Sequence, residues 1–368
     1  MGVNFLNQLF LLGLIAFILS SFLMKKKYKD CMEERDRKIW ELAQQAFNLD
    51  STPFTKFGSF ESEIWEVHKG GVPFILRITN PTHRQPKDLL SEAIWIEHLG
   101  KNEVPVALPV HSTPNECVVI SKDPPCYLML FQKASGHAPT HKDATDVMIC
   151  SWGEIMGKMH RLASNYSPPI NFSRTNLISS FGTLWGLVSN RVDSSVVSYY
   201  ASIIQACRDF PTDPQHYGLI HYDLHMGNFF IDEGKITIFD FDDMQYGWYV
   251  YDIAMALYYW FWGADRKRSS LSINHAARAD DAVRFLRLFL SGYTKAFPLP
   301  DDWLQTIPTC LVIRQMELYF VFESRFGDLP DKTSPLSKLK QFFRDQVVEK
   351  HPHIPLEVFS EKNFVDIF

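Results

Sequence analysis

Cysteine is scarce in this sequence, and positive charge is not in excess. Six cysteines are scattered over 368 residues without a C-x-x-C pair. That spacing excludes a disulfide framework and is typical of thiols in a reducing compartment. Lysine and arginine number 37 against 42 acidic residues, a formal net charge of −5, and the body of the chain has no long basic run. We therefore expect no nucleic acid partner.

The N-terminus is the one segment that does not resemble a soluble domain. Residues 9–24 are uncharged, and the stretch reaches residue 5 if two amide side chains are tolerated near the interface. About 20 residues are needed to cross a bilayer, and the lysines that follow place the rest of the chain in the cytoplasm. We predict a single-span membrane anchor through residues 5–24, with residues 1–36 as anchor and basic linker. The alternatives are an atypical signal sequence, a buried or interfacial helix, or a start at Met24 or Met32 that leaves a soluble cytoplasmic protein.

From residue 37 onward, two regions differ in their predicted secondary structure. Residues 37–132 combine two amphipathic helical patterns with four strand-like runs, among them 64–67 and 73–78. After residue 133 the pattern is mainly helical, with predicted helices over 143–163, 192–208, 253–263, 276–297 and 303–326. A chain of this length, 46% hydrophobic, exceeds one typical domain. We therefore expect two lobes, residues 37–132 and residues 133–368.

The stretch HYDLHMGN, residues 221–228, carries two histidines and an aspartate at alternate positions. On an extended segment His221, Asp223 and His225 would share one side, as the ligands of a zinc hydrolase do. The sequence that follows, NFFIDEGKITIFDFDD, favours another interpretation, because it reads as a hairpin with its turn at residues 232–235. Folding about that turn brings Asn228 and Asp240 to the same end, beside Asp223. A carboxylate that accepts a hydroxyl proton, with an amide oxygen and a second carboxylate for Mg²⁺, is the set that phosphoryl transfer from ATP requires.

The D-x-x-x-x-N spacing and the D-F-D motif resemble the catalytic loop and metal-binding motif of protein kinases. The longer pattern HYDLHMGNFFI…ITIFDFDDMQYGWYVYDIA resembles the aminoglycoside phosphotransferase and choline kinase-like superfamily still more. The resemblance covers about residues 37–326. It implies an α+β, two-lobed protein kinase-like fold, with a small strand-rich N-lobe that binds nucleotide and a larger helical C-lobe. It also implies ATP and Mg²⁺ as cofactors.

The resemblance implies a role for each residue of the motif. Asp223 would orient and deprotonate the acceptor hydroxyl, and Asn228 and Asp240 would coordinate Mg²⁺. His225 stands where protein kinases carry a lysine that touches the γ-phosphate. His221 is more typical of a buried, hydrogen-bonded brace. Of the acidic residues that follow, Asp242 is either a solvated turn residue or a second metal contact, and Asp252 is a helix cap or loop brace.

In the N-lobe, the resemblance implies a nucleotide site in three segments. Gly58 and Ser59 lie where kinase-like folds place the loop over the phosphates, although an ordinary strand turn explains them equally well. Arg77 takes the place of the strand lysine that holds the α- and β-phosphates; the alternative is an exposed strand residue. Glu92 on the next helix is its expected ion-pair partner. The backbone near Leu130 to Gln132 would form the hinge that binds adenine.

The predicted function is transfer of the γ-phosphate of ATP to a hydroxyl of a small molecule such as an aminoglycoside, choline or homoserine. A dense aromatic series could cage a quaternary ammonium, but side chains at that helical spacing are more often core residues: Trp248, Tyr251, Tyr258, Tyr259, Trp260 and Trp262. A protein Ser/Thr kinase is the alternative with the same chemistry. A membrane-tethered, nucleotide-binding pseudokinase is the alternative from another class, because the phosphate loop has a single glycine. The oligomeric state is left open.

Overall fold

The computed structural model describes residues 33–52, 54–57, 62–140, 142–264, 275–327, 329, 331–350 and 352–365. They form the predicted α+β, two-lobed protein kinase-like fold, with a strand-rich N-terminal sheet and a mostly helical C-terminal part. The predicted membrane anchor over residues 5–24 lies outside the described residues and stays a prediction. Within the described ranges, no helix combines the length and the apolar character that crossing a membrane requires.

The N-terminal part is a six-stranded antiparallel sheet preceded by one helix. Helix α1 (Glu34–Phe47) buries Ile39, Ala43 and Phe47, which are four residues apart and share one face. The strands lie in the order β1-β2-β3-β6-β4, and β5 pairs with β6. Their bounds are Thr55–Phe57 for β1, Ser62–Lys69 for β2, Val72–Thr79 for β3, Pro109–Val110 for β4, Val119–Lys122 for β5 and Pro125–Gln132 for β6. The four predicted strands are present as β2, β3, β5 and β6, with β2 two residues and β3 one residue longer at each end than predicted. Strands β1 and β4 were not predicted.

Helix α2 (Pro86–Lys101) connects the sheet to the helical part. Pro86 stands at its first position, and the side chain of Asp88 accepts a hydrogen bond from the backbone N–H of Gln85 at 3.1 Å. Its buried side chains, including Leu89 and Ile96, belong to the same hydrophobic core as the C-terminal helices. A separate, smaller core lies between α1 and the sheet. The helix therefore packs on the core of the helical part, while its Glu92 side chain contacts Arg77 of the sheet.

The C-terminal part is built of helices around two short antiparallel strand pairs, β7 with β10 and β8 with β9. The strands are β7 (Tyr217–Ile220), β8 (Phe229–Asp232), β9 (Lys235–Ile238) and β10 (Gln245–Trp248). The helices are α3 (Asp146–Ser164), α4 (Leu177–Val188), α5 (Ser194–Cys207), α6 (Tyr249–Ala264), α7 (His275–Tyr293), α8 (Trp303–Phe326) and α9 (Pro335–Val348). Helices α3 and α7 approach so closely that a Cβ on Gly153 would lie 1.9 Å from the carbonyl oxygen of Phe289. Glycine is therefore required at this crossing.

The five helices predicted after residue 133 are present as α3, α5, α6, α7 and α8. The predicted hairpin is present too, with Ile231 opposite Ile236. Sequence analysis missed α4, α9 and the pairing of β7 with β10. Helix α4 contains two glycines and leaves Leu187 half exposed, so its periodicity is weak. The β7–β10 pair joins four-residue strands from either side of the hairpin, and such a pairing has no local turn signal.

Candidate active site

The loop at residues 221–228 joins β7 to β8, and one buried carboxylate fixes its backbone through hydrogen bonds. Asp252, fully buried in the first turn of α6, accepts hydrogen bonds from the backbone N–H of His221 at 2.8 Å and of Tyr222 at 2.7 Å. His160 of α3 lies 3.2 Å from the same carboxylate. These bonds support a Tyr222 backbone at φ 75°, a conformation that a bulky residue rarely adopts. Asp252 is therefore the predicted loop brace.

His221 is a structural residue. Its ring is buried, and Nε2 lies 3.2 Å from the carbonyl oxygen of Phe239, to which it donates. Burial lowers the pKa of His221, so the ring is neutral at physiological pH. Because its ring faces the Phe239 carbonyl, the zinc-hydrolase arrangement with Asp223 and His225 is not formed. The interpretation of His221 as a buried, hydrogen-bonded brace agrees with the structure.

The loop brings three polar side chains together: Asp223, His225 and Asn228. The side-chain amide of Asn228 donates to the backbone oxygen of Asp223 at 2.8 Å, which leaves the amide oxygen for another partner. His225 Nε2 lies 3.4 Å from Asp223 Oδ2, while the N–H of Gly227 donates to His225 Nδ1. Burial opposes ionisation of Asp223, but His225 and Arg314 hold its pKa below the ordinary value. The carboxylate is therefore ionised and able to accept a hydrogen bond from a hydroxyl.

Asp240 joins this group through the hairpin. The N–H of Phe239 donates to the backbone oxygen of Asn228 at 3.0 Å, so the two strand ends are level, as the fold about the turn predicts. Asp240 follows with φ 66° and keeps access to solvent. Desolvation in the cleft and the negative charge of Asp242 raise its pKa to about 7. Because the side chain is still exposed, we consider repulsion between the carboxylates the more important cause, and a divalent cation would relieve it.

Arg77, on the central strand β3, forms a buried, bidentate ion pair with Glu92 of α2. Arg77 Nη1 lies 2.8 Å from Glu92 Oε1, and Nη2 lies 2.5 Å from Oε2. Their side chains are only 6% and 1% exposed, so the alternative of an exposed strand residue at position 77 is wrong. Arg77 also lies 3.8 Å from Asp242. The pair thus points the guanidinium from the sheet toward the hairpin end that carries Asp240.

Asp242 is a buried, ion-paired residue and not a solvated turn residue. His83 Nε2 lies 2.6 Å from its carboxylate, Arg84 lies 3.3 Å away, and Arg174 donates to its backbone oxygen at 2.7 Å. Burial opposes its ionisation, yet the hydrogen bond from His83 and the charges of Arg77 and Arg84 hold the pKa of Asp242 well below its usual range. The solvated-turn prediction is therefore wrong. The residue ties the segment before α2 to the hairpin end.

Sequence analysis missed Arg314 of α8. Arg314 Nη2 lies 2.7 Å from Asp223 Oδ1 and donates to the hydroxyl of Tyr259, while Nη1 lies 3.7 Å from Glu317. Glu317 in turn accepts a 2.5 Å hydrogen bond from Tyr251. The available signal was an arginine and a glutamate three residues apart in the mainly apolar stretch 310–322 of this helix, since charges are rarely buried without partners.

The other predicted residues lie in the sheet, in the hydrophobic core or outside the described residues. Leu130 is buried in β6 opposite Leu76 and Val110, and Gln132 ends that strand with its N–H bonded to the Leu108 carbonyl. Gly58, Ser59 and the Trp262 side chain lie outside the described residues. The aromatic series is mostly core, as its helical spacing favours: Trp248, Tyr251, Tyr258 and Trp260 are buried. Tyr259 differs, because its ring lies 4.5 Å from that of His225.

A two-lobed kinase-like fold with an ionised aspartate, an asparagine and a second aspartate at the cleft defines a phosphotransferase. Residues 54–289 match the model of the phosphotransferase enzyme family, and the chain belongs to that family. It is a kinase with an alcohol group as acceptor, so the predicted superfamily and enzyme class are confirmed.

Several of the similar proteins are named as kinases of small molecules. Amicoumacin kinase of Bacillus subtilis (strain 168) is 29% identical over 289 residues, which is 77% of this chain and 83% of that protein. Homoserine kinase of Rhodospirillum rubrum is 26% identical over 249 residues, 62% of this chain and 73% of that one. Among solved structures, amicoumacin kinase hAmiN in complex with AMP-PNP, Ca²⁺ and Ami has a TM-score of 0.79 at 27% identity and covers 92% of this chain and 100% of that chain.

Proposed function

We propose that the protein transfers the γ-phosphate of ATP to a hydroxyl of a small molecule, with Mg²⁺ bound at the cleft. The main support for this function is the grouping of Asp223, Asn228 and Asp240 at one end of the β8–β9 hairpin. The buried Arg77–Glu92 pair faces this group from the sheet. A similar kinase has been solved with AMP-PNP and Ca²⁺, which supports a nucleotide and a divalent cation here.

The donor set at the hairpin end suits Mg²⁺. Asn228 presents an amide oxygen because its nitrogen bonds to Asp223, and Asp240 presents a carboxylate without a recorded hydrogen bond or ion pair in the described parts of the chain. Both are hard oxygen ligands of the kind that Mg²⁺ prefers. We infer that Asn228 and Asp240 hold the ion, which neutralises charge on the phosphates. Arg77, oriented by Glu92, would hold the phosphates from the sheet side.

Asp223 is the proposed base. Its carboxylate is ionised and lies next to Asn228, so an acceptor hydroxyl placed there would donate its proton to Asp223 as the new P–O bond forms. His225 would position the carboxylate, 3.4 Å away, and reach the transferred phosphoryl group. Arg314 keeps the carboxylate charged before the acceptor binds.

The polar surroundings of Asp223 support a polar acceptor. The Asp223 carboxylate lies beside His225, Asn228 and Arg314, and such groups favour an acceptor with polar atoms that can bond to them. The named relatives act on small molecules, which favours this class of acceptor over a protein. We propose residues 37–132 as the nucleotide-binding lobe and residues 133–368 as the acceptor lobe, with adenine near Leu130 to Gln132 and phosphates near Gly58 and Ser59.

The test is an acceptor screen with the purified full chain, ATP and Mg²⁺. Amicoumacin, homoserine, choline, an aminoglycoside and pooled hydroxylated metabolites are incubated separately, and ADP release is measured beside product mass. We expect one acceptor to gain a single phosphoryl group, and Asp223→Asn to abolish that gain. Phosphorylation of added protein substrates with no small-molecule product would overturn the proposal in favour of a protein kinase.

A further inference from the structure

Three side chains of the kinds that bind transition metals meet outside the active site. Glu97 lies on α2, His111 follows β4 and Cys117 precedes β5. Glu97 Oε1 is 2.5 Å from His111 Nε2, and Cys117 Sγ is 3.2 Å from that nitrogen and 3.7 Å from the same oxygen. Bond lengths to tetrahedral zinc put the ligand atoms roughly 3.3–3.6 Å apart. A bound ion therefore requires the Glu97–His111 pair to open by less than about 1 Å.

The backbone between His111 and Cys117 explains why they face one another. Residues 112–116 form a tight turn, in which the N–H of Ser112 donates to the carbonyl of Glu116 at 2.9 Å and the N–H of Asn115 donates to the Ser112 carbonyl at 2.8 Å. The residues just before and just after this turn are consequently side by side. A separation of five residues between the two ligands is within the range of zinc-binding loops.

A further contact orients the histidine as a metal ligand needs. His111 Nδ1 lies 3.1 Å from Asn115 Oδ1, an oxygen that can accept the Nδ1 proton. Without an ion Nε2 donates to Glu97; on metal binding it would give up that proton and coordinate, as in metal sites whose histidine is oriented by an outer partner. The side chains of His111 and Glu97 remain 38% and 27% exposed, so an ion reaches the site from solvent.

We propose that Glu97, His111 and Cys117 bind a divalent cation of the zinc class, with water or an external ligand as fourth partner. Thiolate, imidazole and carboxylate select zinc over Mg²⁺, whereas the oxygen donors at Asn228 and Asp240 do the reverse. The ion would join α2 to the turn between β4 and β5. It would therefore stabilise the N-terminal sheet against thermal unfolding.

The test uses the chelator-treated full chain titrated with zinc, and then with Co²⁺ as a spectroscopic probe. We expect one zinc ion per chain that is lost in Cys117→Ser, and a thiolate-to-cobalt absorption band that Cys117→Ser lacks. Cys150→Ser, a thiol on α3 away from the cluster, is the matched control and should keep both. Cobalt at the Mg²⁺ ligands produces no such band, since they contain no sulfur. Asn115→Ala should weaken zinc binding about 10-fold or more.

His111→Gln provides a second variant if Cys117→Ser fails to fold, because position 111 is partly exposed, and it should lose the same zinc ion. Zinc should also raise the melting temperature of the unsubstituted chain and not of His111→Gln. A wild-type chain that shows no thiolate–cobalt band, or a Cys117→Ser chain that retains stoichiometric zinc, would overturn the proposal. Neither result depends on phosphotransferase activity.

Discussion

Replacing Asp223 by asparagine separates catalysis from nucleotide binding. The amide has almost the same shape but cannot take a proton from the acceptor hydroxyl. Loss of a general base commonly costs about 10²- to 10⁴-fold in rate, and we expect kcat to fall within that range. Asp223 contacts Arg314, His225 and Asn228 and is not a proposed nucleotide ligand, so the Kd for Mg²⁺-nucleotide should stay within about twofold.

The same substitution leaves Arg314 without its carboxylate partner. Breaking an isolated buried ion pair costs about 3–5 kcal/mol. Arg314 keeps Tyr259 and, at 3.7 Å, Glu317, so the loss should be nearer to that of one charged hydrogen bond, about 1.5–3 kcal/mol. Adding Arg314→Gln should recover neither stability nor turnover, because it also removes the cation that lies 3.7 Å from the buried Glu317 carboxylate.

The assay combines steady-state kinetics on the acceptor found by the screen, calorimetric titration of nucleotide with Mg²⁺, and urea unfolding. Asp232→Asn, at the exposed end of the hairpin, is the control and should match the unsubstituted chain in all three. A kcat above about one tenth of the original would refute the role of Asp223 as base. Loss of nucleotide affinity in a folded Asp223→Asn chain would refute the division of roles between Asp223 and the metal ligands.

Asp240→Ala should weaken Mg²⁺-dependent nucleotide binding by at least about 10-fold, and calorimetry with and without Mg²⁺ checks this; unchanged binding contradicts the metal role. Gly153→Ala should lose about 1–3 kcal/mol in urea unfolding because its Cβ meets the Phe289 carbonyl, whereas Gly186→Ala, with nothing within 4 Å, should be neutral or stabilising; equal effects would refute the packing argument. Burial lowers the pKa of His221, so the unfolded chain takes a proton below about pH 6.5 that the folded chain resists. The free energy of unfolding therefore falls as the pH drops below that value. His221→Gln should show a shallower fall in melting temperature between about pH 7.5 and about pH 5.5, and an unaltered slope would refute the contribution of His221 to the pH dependence.

Features governed by neighbouring residues could be predicted from the sequence. The β8–β9 hairpin is an example, because its turn and flanking apolar residues set its own register and thus place Asn228 level with Phe239. Helix α8 was predicted with the bounds that it has, Trp303–Phe326, since Gly327 directly follows its last residue and glycine favours a helix end. The D-x-x-x-x-N motif likewise lies within one short loop, so the relative positions of its side chains depend mainly on neighbouring residues. These local features, together with the resemblance of the motif to that of the kinase-like superfamily, identified the fold and the enzyme class.

Pairings between distant residues were decided only by the tertiary structure. Arg314 meets Asp223 from 91 positions away, and His83 meets Asp242 from 159 positions away. Helical or strand periodicity records which face of an element is buried, but it does not record which side chain lies opposite. A buried charge in α8 could have been noticed in the sequence, whereas its partner could not. The same holds for Glu97 and Cys117, which the packing of α2 against the β4–β5 turn brings to 3.7 Å. The sequence by itself thus determined the local helices and strands and the motif that indicates phosphoryl transfer. The packing of those elements determined which charged side chains pair over long distances in the chain.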